Sequence, residues 1–186
     1  MQKVFLFPST ALTMRAGEMK TSGTSLAVAA ALLATLCMAA TAVASPGDQA
    51  RGGGVQLELP SGWEKVAPAR SEQADDPRTL LVIGTDGVQA ADTDCLVSSY
   101  RVPSDGAVVV VVGWREQVGG ASFHPLASMK LQRGMFKCFA GRGAFARVTR
   151  RERDLQVNVM VGDRADASTV EAALEAARSI ALVPRA

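Results

Sequence analysis

The chain has 186 residues and a formal net charge of +2 at pH 7. Three of its 20 basic residues and one of its 18 acidic residues precede Ser45, so the remaining chain has 17 of each and no net charge. A nucleic-acid-binding domain needs a concentrated basic excess, so nucleic acid is not expected as a partner. No glycine-rich phosphate loop opens a predicted helix, so no nucleotide site and no cofactor are expected.

Residues 19–44 have the pattern of a secretory signal peptide. Lys20 is the positively charged n-region, an uncharged apolar run begins at Leu26, and Ala42-Val43-Ala44 is an A-x-A cleavage site. Cleavage after Ala44 is predicted, which makes the protein secreted or periplasmic. The alternative is an uncleaved segment that anchors the chain, and membrane association is expected only in that case.

Residues 1–18 precede a signal that is already complete. We interpret them as an N-terminal extension, with translation starting at Met14 or Met19; the alternative is a genuine start at Met1 with a long n-region. The basic residues are nearly all arginine, and alanine and valine are abundant, which hints at a bacterial genome rich in G and C.

The exported part is predicted to form one globular domain over residues 55–186, after a flexible tether at residues 45–54 that is rich in Gly and polar residues. Alternating or continuous apolar runs between turn signals predict strands in its first half. These strands are Val55–Leu59, Thr79–Ile83, a weaker one at Leu96–Val102, and the valine-rich Ala107–Trp114.

The second half predicts a three-stranded meander followed by a helix. Met135–Ala140, Ala144–Arg150 and Leu155–Val161 are the predicted strands, with Gly141-Arg142-Gly143 as a hairpin turn. In the last strand, Leu155 and the three valines would be core, which leaves Gln156, Asn158 and Met160 on a second face that is open unless another layer covers it.

The C-terminal segment has helical periodicity. Ser168-Thr-Val-Glu171 has the pattern of a capping box, and Val170, Leu174 and Ala177 share one stripe, with Arg178 able to pair with Glu175. An amphipathic helix must bury its stripe, and a sheet face is the place available. The predicted fold class is α+β, an antiparallel meander packed against the C-terminal helix.

Two segments resemble small secreted PsbP-like domains of bacteria. They are Val55–Trp63, which ends in Pro-x-Gly-Trp, and Val170–Ile180, which contains Ala-Leu-Glu-Ala-Ala-Arg-Ser-Ile. The resemblance implies an antiparallel sheet packed with helices and a role in binding or assembly. It carries no catalytic residue onto this chain.

Cys95 and Cys138 are the two cysteines that follow the signal peptide. An even pair in an exported protein predicts a disulfide, and free buried thiols are the alternative. Zinc is not expected, because two cysteines and one histidine do not supply four ligands.

Five arginines lie close together around the predicted meander turns. On a hairpin rim they would meet an anionic polymer or a lipid headgroup, and a solvated charged rim is the alternative. The residues of this possible binding rim are Arg142, Arg147, Arg150, Arg151 and Arg153.

Two further groups have a functional interpretation beside a plain one. Asp86, Asp92 and Asp94 have oxygen ligands that calcium prefers, but they lack EF-hand spacing, and the pattern favours a solvated loop whose acids cap turns. His124 is the single histidine, and a hydrolase would need a nucleophile and an acid beside it, which the sequence does not provide.

The sequence therefore predicts a non-enzymatic exported domain that binds a protein or a cell-envelope partner through the exposed face and rim of its sheet. A small apolar ligand carrier is the first alternative, because some of the aromatic residues would be able to line a groove, although most of them would be core. These aromatic residues are Trp63, Trp114, Phe123, Phe136, Phe139 and Phe145. A hydrolase that uses His124 is the second alternative.

Overall fold

Strands dominate the residues that the computed structural model describes, which are 47–69, 76–115, 125–150 and 153–184. The strands in chain order are β1 (Gln49–Gly52), β2 (Val55–Glu58), β3 (Trp63–Lys65), β4 (Arg78–Thr85), β5 (Gln89–Ala90), β6 (Tyr100–Arg101), β7 (Ala107–Gly113), β8 (Gln132–Arg133), β9 (Arg142–Arg150), β10 (Arg153–Val161) and β11 (Ala181–Leu182). Helix α1 spans Ala167–Arg178, and two single 3-10 turns lie at Leu96–Ser98 and Leu126–Ser128. The fold is α+β.

The main sheet is antiparallel, with strand order β3-β4-β7-β10-β9-β8. Its centre is β7, whose valine run is buried along its whole length between β4 and β10. β-Branched residues suit a pleated strand, and a strand with both faces covered needs no polar alternation. The predicted core strand Ala107–Trp114 is confirmed by β7.

One face of this sheet packs against α1 and against the small sheet β1-β2-β11. Val109, Val157 and Val159 supply the sheet side, and Ala173 and Ala177 supply the helix side, all with no exposed surface. Alanine side chains on α1 let the helix backbone approach the sheet closely, so the interface between α1 and the main sheet is closely packed.

The opposite face of the sheet is also covered. Val82, Val110 and Met160 are buried there beneath Val88 and Tyr100, which come from the connection between β4 and β7. The expectation that Gln156, Asn158 and Met160 form an open face is therefore wrong. Asn158 and Met160 are fully buried and Gln156 is partly buried.

Part of the predicted tether is a strand. Residues 49–52 form β1, which pairs antiparallel with β2 and buries Ala50 to 5% exposure. Strand β2 has a buried face at Val55 and Leu57, and β1 supplies hydrogen-bond partners along one of its edges. The glycines that suggested flexibility instead permit close approach, since a Cβ at Gly53 would lie 2.7 Å from that of Leu80.

The predicted strand Met135–Ala140 is wrong, because these residues form turns and bends between β8 and β9. Gly141 and Gly143 are not a hairpin turn either. The rings of Phe139 and Phe136 lie against them, so that an added Cβ would approach ring atoms to 2.7 Å and 2.6 Å. Strand β9 begins at Arg142 and pairs with β10 from Arg142↔Val161 onward, so the second hairpin of the prediction is confirmed.

The predicted helix is confirmed, but it begins one residue before Ser168. Asp166 is the N-cap, and its carboxylate accepts a 2.7 Å hydrogen bond from the Thr169 amide. The Ser168 hydroxyl donates to the same carboxylate instead of capping the helix. Arg178 contacts Glu171 at 3.5 Å, so the predicted pairing with Glu175 is replaced by one with the other glutamate.

Candidate ligand-binding cleft

A cleft of about 570 Å³ opens where the cover of the second sheet face ends. The sheet provides its floor, through Val112 of β7, Gln156 of β10 and Trp114 just after β7. One wall is the segment 94–98, and the other is the segment 135–138. Pro77, just before β4, also lines the cleft, so the site is assembled from five separate parts of the chain.

The disulfide between Cys95 and Cys138 ties the two walls together, with the Cα atoms 6.0 Å apart. This separation is ordinary for a disulfide. The predicted pairing is confirmed, and the alternative of two free thiols is wrong. The Cys95 carbonyl also accepts hydrogen bonds from the amide and the hydroxyl of Ser98, both at 3.0 Å. These two bonds close a tight turn within the wall formed by residues 94–98.

Apolar side chains make most of the cleft surface. Val97 and Met135 lie on opposite walls, and Phe136 and Trp114 add two aromatic rings. Volume and lining agree with those of sites for small apolar molecules, which join an apolar surface to a few polar contacts. The aromatic groove of the carrier alternative is thus formed by two of the predicted aromatics, while Phe139 packs into the core.

A chain of hydrogen bonds fixes the polar part of the floor. Arg147 Nε donates to Gln156 Oε1 at 3.1 Å, and Gln156 Nε2 donates to Asn158 Oδ1 at 2.6 Å. Asn158 Nδ2 then donates to the buried carbonyl of Val110 at 3.2 Å. The Arg147 guanidinium also lies 5.2 Å from the centre of the Trp114 ring, a cation–π distance. These contacts hold both Gln156 and Trp114 in one orientation.

The two ionisable side chains that line the cleft, Asp94 and Lys137, are exposed. Shifted pKa values occur at Tyr100, raised mainly by burial, and at Asp166, lowered mainly by the Thr169 amide, and neither residue lines the cleft.

The structure does not bring the described members of the possible arginine rim together. Arg147 pairs with Gln156 on the cleft face, whereas Arg142 and Arg153 belong to the helix face at opposite ends of the β9–β10 hairpin. Arg142 reaches the Ala165 carbonyl at 3.5 Å, and its Nε has no hydrogen-bond partner in the described part of the chain. The Arg150 side chain and Arg151 lie outside the described residues.

Two other predicted groups have different outcomes. His124 lies outside the described residues, so the hydrolase hypothesis stays a prediction. Asp86, Asp92 and Asp94 are exposed, and within residues 47–69, 76–115, 125–150 and 153–184 no three His, Cys, Asp or Glu side chains gather as a metal ion would require.

No helix in the described part of the chain combines the length and apolarity needed to cross a bilayer. No family model, no curated protein and no solved structure matches the chain. The resemblance to PsbP-like domains stays a prediction.

Proposed function

We propose that the protein is an exported, non-enzymatic binding domain whose ligand is a small apolar molecule held in the cleft between Cys95 and Cys138. The observation that carries this proposal is the cleft itself, whose aromatic and aliphatic lining is anchored by a disulfide and by the Arg147–Gln156–Asn158 contacts. Burial of the second sheet face favours this proposal over partner binding through that face.

Two observations support export. The disulfide fits an oxidising compartment, and Ala42-Val43-Ala44 has the pattern of a cleavage site before the first described residue. N-terminal sequencing of the exported protein is expected to begin at Ser45. A product that retains residues 19–44 in the membrane would contradict this part of the proposal.

The affinity expected of such a cleft is moderate. A ligand and cleft that together lose roughly 500 Å² of apolar surface gain about 12 kcal/mol at about 25 cal/mol per Å². Lost translation and rotation cost at least about 4 kcal/mol, which leaves at most about 8 kcal/mol and a dissociation constant that is micromolar or weaker.

A neutral fluorescent probe, N-phenyl-1-naphthylamine, tests the site by titration. Val97 lines the cleft, so Val97→Trp is expected to fill it and weaken binding at least about tenfold. Val102→Trp is the matched control, because Val102 is also a partly buried valine packed on the same core cluster but does not line the cleft. This variant should bind the probe as the wild type does. Equal probe affinity in the wild type and Val97→Trp would contradict the proposed site.

The non-enzymatic part has its own test. An unbiased substrate screen is expected to show no turnover with the purified protein. Turnover that disappears in His124→Ala would establish the hydrolase alternative and overturn this part of the proposal.

A further inference from the structure

A second groove, of about 780 Å³, lies beside the turn between β1 and β2 and is separate from the cleft. The turn residues Gly53 and Gly54 line it together with Arg51, Arg78 and Val183. We propose that this groove is an oxyanion site that binds a phosphate group.

The charged side chains among the described lining residues, Arg51 and Arg78, are of one sign. No carboxylate among the described residues lines the groove, and the Arg51 guanidinium donates to the neutral amide oxygen of Gln49 at 3.1 Å. Lys65 Nζ donates to the Arg51 carbonyl at 2.8 Å, which adds a third cation at the same turn. Neither the Arg133–Asp163 ion pair nor the Arg178–Glu171 ion pair involves Arg51 or Arg78.

The backbone of the turn also offers donors rather than acceptors. The carbonyl of Gly53 accepts from Arg153 at 3.0 Å, and that of Gly54 accepts from the Val183 amide at 3.2 Å. The amides of Gly53 and Gly54 donate to no acceptor within the described part of the chain. Successive turn amides of this kind form anion-binding concavities in proteins.

Backbone conformation and close packing fix the turn between β1 and β2. Gly53 and Gly54 have φ values of +57° and +78°, and the turn packs so closely on Leu80 that any side chain at Gly53 would displace it. Such packing holds the two amides at fixed positions beside the arginines. Guanidinium groups bind phosphate oxygens in pairs, so two arginines and two amides match the several acceptor oxygens of one phosphate group.

Free phosphate and the phosphate of an anionic lipid headgroup share this chemistry, and two titrations distinguish them. Inorganic phosphate is added to the ¹⁵N-labelled protein while the amide resonances of Gly53 and Gly54 are followed. In parallel, the protein is sedimented with vesicles of phosphatidylglycerol and with vesicles of phosphatidylcholine. Saturable shifts of both glycine amides in the phosphate titration indicate a site for free phosphate. If phosphate causes no such shifts and the protein sediments with phosphatidylglycerol vesicles but not with phosphatidylcholine vesicles, the site binds a lipid headgroup.

The double variant Arg51→Gln/Arg78→Gln is expected to weaken whichever binding is seen at least about tenfold, and added salt is expected to weaken it in the wild type. Arg101→Gln is the matched control, because Arg101 is also an exposed strand arginine but lies outside the groove. The proposal is overturned if neither probe binds, or if the double variant binds as well as Arg101→Gln. Val97→Trp should leave phosphate binding unchanged, so this result is independent of the cleft.

Discussion

Removal of the disulfide is expected to lower both the stability of the domain and its affinity for an apolar probe. The perturbation is the double variant Cys95→Ala/Cys138→Ala. Cys95 is partly buried and Cys138 is exposed, so the two substitutions remove little packed surface. The change in stability therefore comes mainly from the bridge.

The magnitude follows from the loop that the bridge closes. The two cysteines are 43 positions apart, and a closed loop of this length restricts the unfolded chain by about 4 kcal/mol in the chain-entropy model. Small domains are stable by only about 5–15 kcal/mol, so this is a large share of the total. With a urea m-value of about 2 kcal/mol/M, the unfolding midpoint should fall by about 2 M.

Urea unfolding followed by far-UV circular dichroism measures this change. Wild-type protein reduced with a phosphine is the control, and it should match the double variant, while intact mass confirms the bridge before reduction. The m-value should rise, because the unfolded chain without the bridge exposes more surface. A loss below about 1 kcal/mol with an unchanged m-value would refute this reasoning about the unfolded chain.

The cleft supplies a second readout of the same perturbation. Because the bridge joins segments 94–98 and 135–138, its loss frees the two walls from each other while the floor on β7 and β10 stays in the sheet. N-phenyl-1-naphthylamine affinity should fall under conditions where the double variant is still folded. Unchanged affinity in the folded double variant would show that the walls keep their places without the bridge.

Three further predictions concern buried and capping groups. Tyr100 is the single tyrosine, and burial raises its pKa above the ordinary value of 10.0, so absorbance titration of the folded protein should have its midpoint above that of the unfolded chain. The stability that this shift provides is complete below the unfolded pKa and is lost as pH rises through the folded pKa, and Tyr100→Phe should not show that alkaline loss. Asn158→Ala removes the side-chain donor to the Val110 carbonyl and the acceptor of the Gln156 amide, so urea unfolding should show a loss of about 1–3 kcal/mol, and a loss within error of zero would contradict the buried chain of hydrogen bonds. The Thr169 amide lowers the pKa of Asp166, so its stabilising contribution is present above the unfolded pKa and is lost as pH falls through the folded pKa; Asp166→Ala should lower the melting temperature at neutral pH but not in strong acid, and an equal loss at both would contradict the N-cap.

The parts of the fold that could be predicted are those whose local pattern agrees with the tertiary environment. The valine run of β7 is a good strand former that is buried on both faces, and the C-terminal segment has a helical period that meets the sheet. The start of α1 shows the limit of such patterns. Asp166 and Ser168 both have side chains that are able to cap a helix, and their spacing alone does not choose between them.

The incorrect predictions have physical causes that a single sequence hides. Segment 135–140 has apolar residues spaced like a strand, but the rings of Phe136 and Phe139 instead fill space against Gly143 and Gly141. Close approach to Leu80 requires glycine at Gly52 of β1 and at Gly53 of the turn that follows, but in the sequence these glycines look like a flexible linker. Leu80 lies far from its glycine partners in the sequence, whereas Phe136 and Phe139 lie close to Gly143 and Gly141, in contacts that the period of a strand does not predict.

The cleft was only partly visible in the sequence. The cysteine pair indicated that segments near Cys95 and Cys138 meet, and aromatic residues stand close to that pair and to β7. Alternation along the last predicted strand placed Gln156 on the second face, but its contact with Arg147 depends on the pairing register of β9 and β10. A one-residue change in that register would move Gln156 to the other face of the sheet.

The two candidate sites share one structural origin. Both faces of the main sheet are covered, so a ligand reaches strand residues only where a covering layer ends. On one face the cover ends at the disulfide, which exposes apolar residues of β7 and β10, and on the other it ends at the β1–β2 turn, which exposes arginines and amides. A ligand with an apolar body and a ligand with a phosphate group would therefore bind at different places, and each site can be removed without loss of the core that supports both.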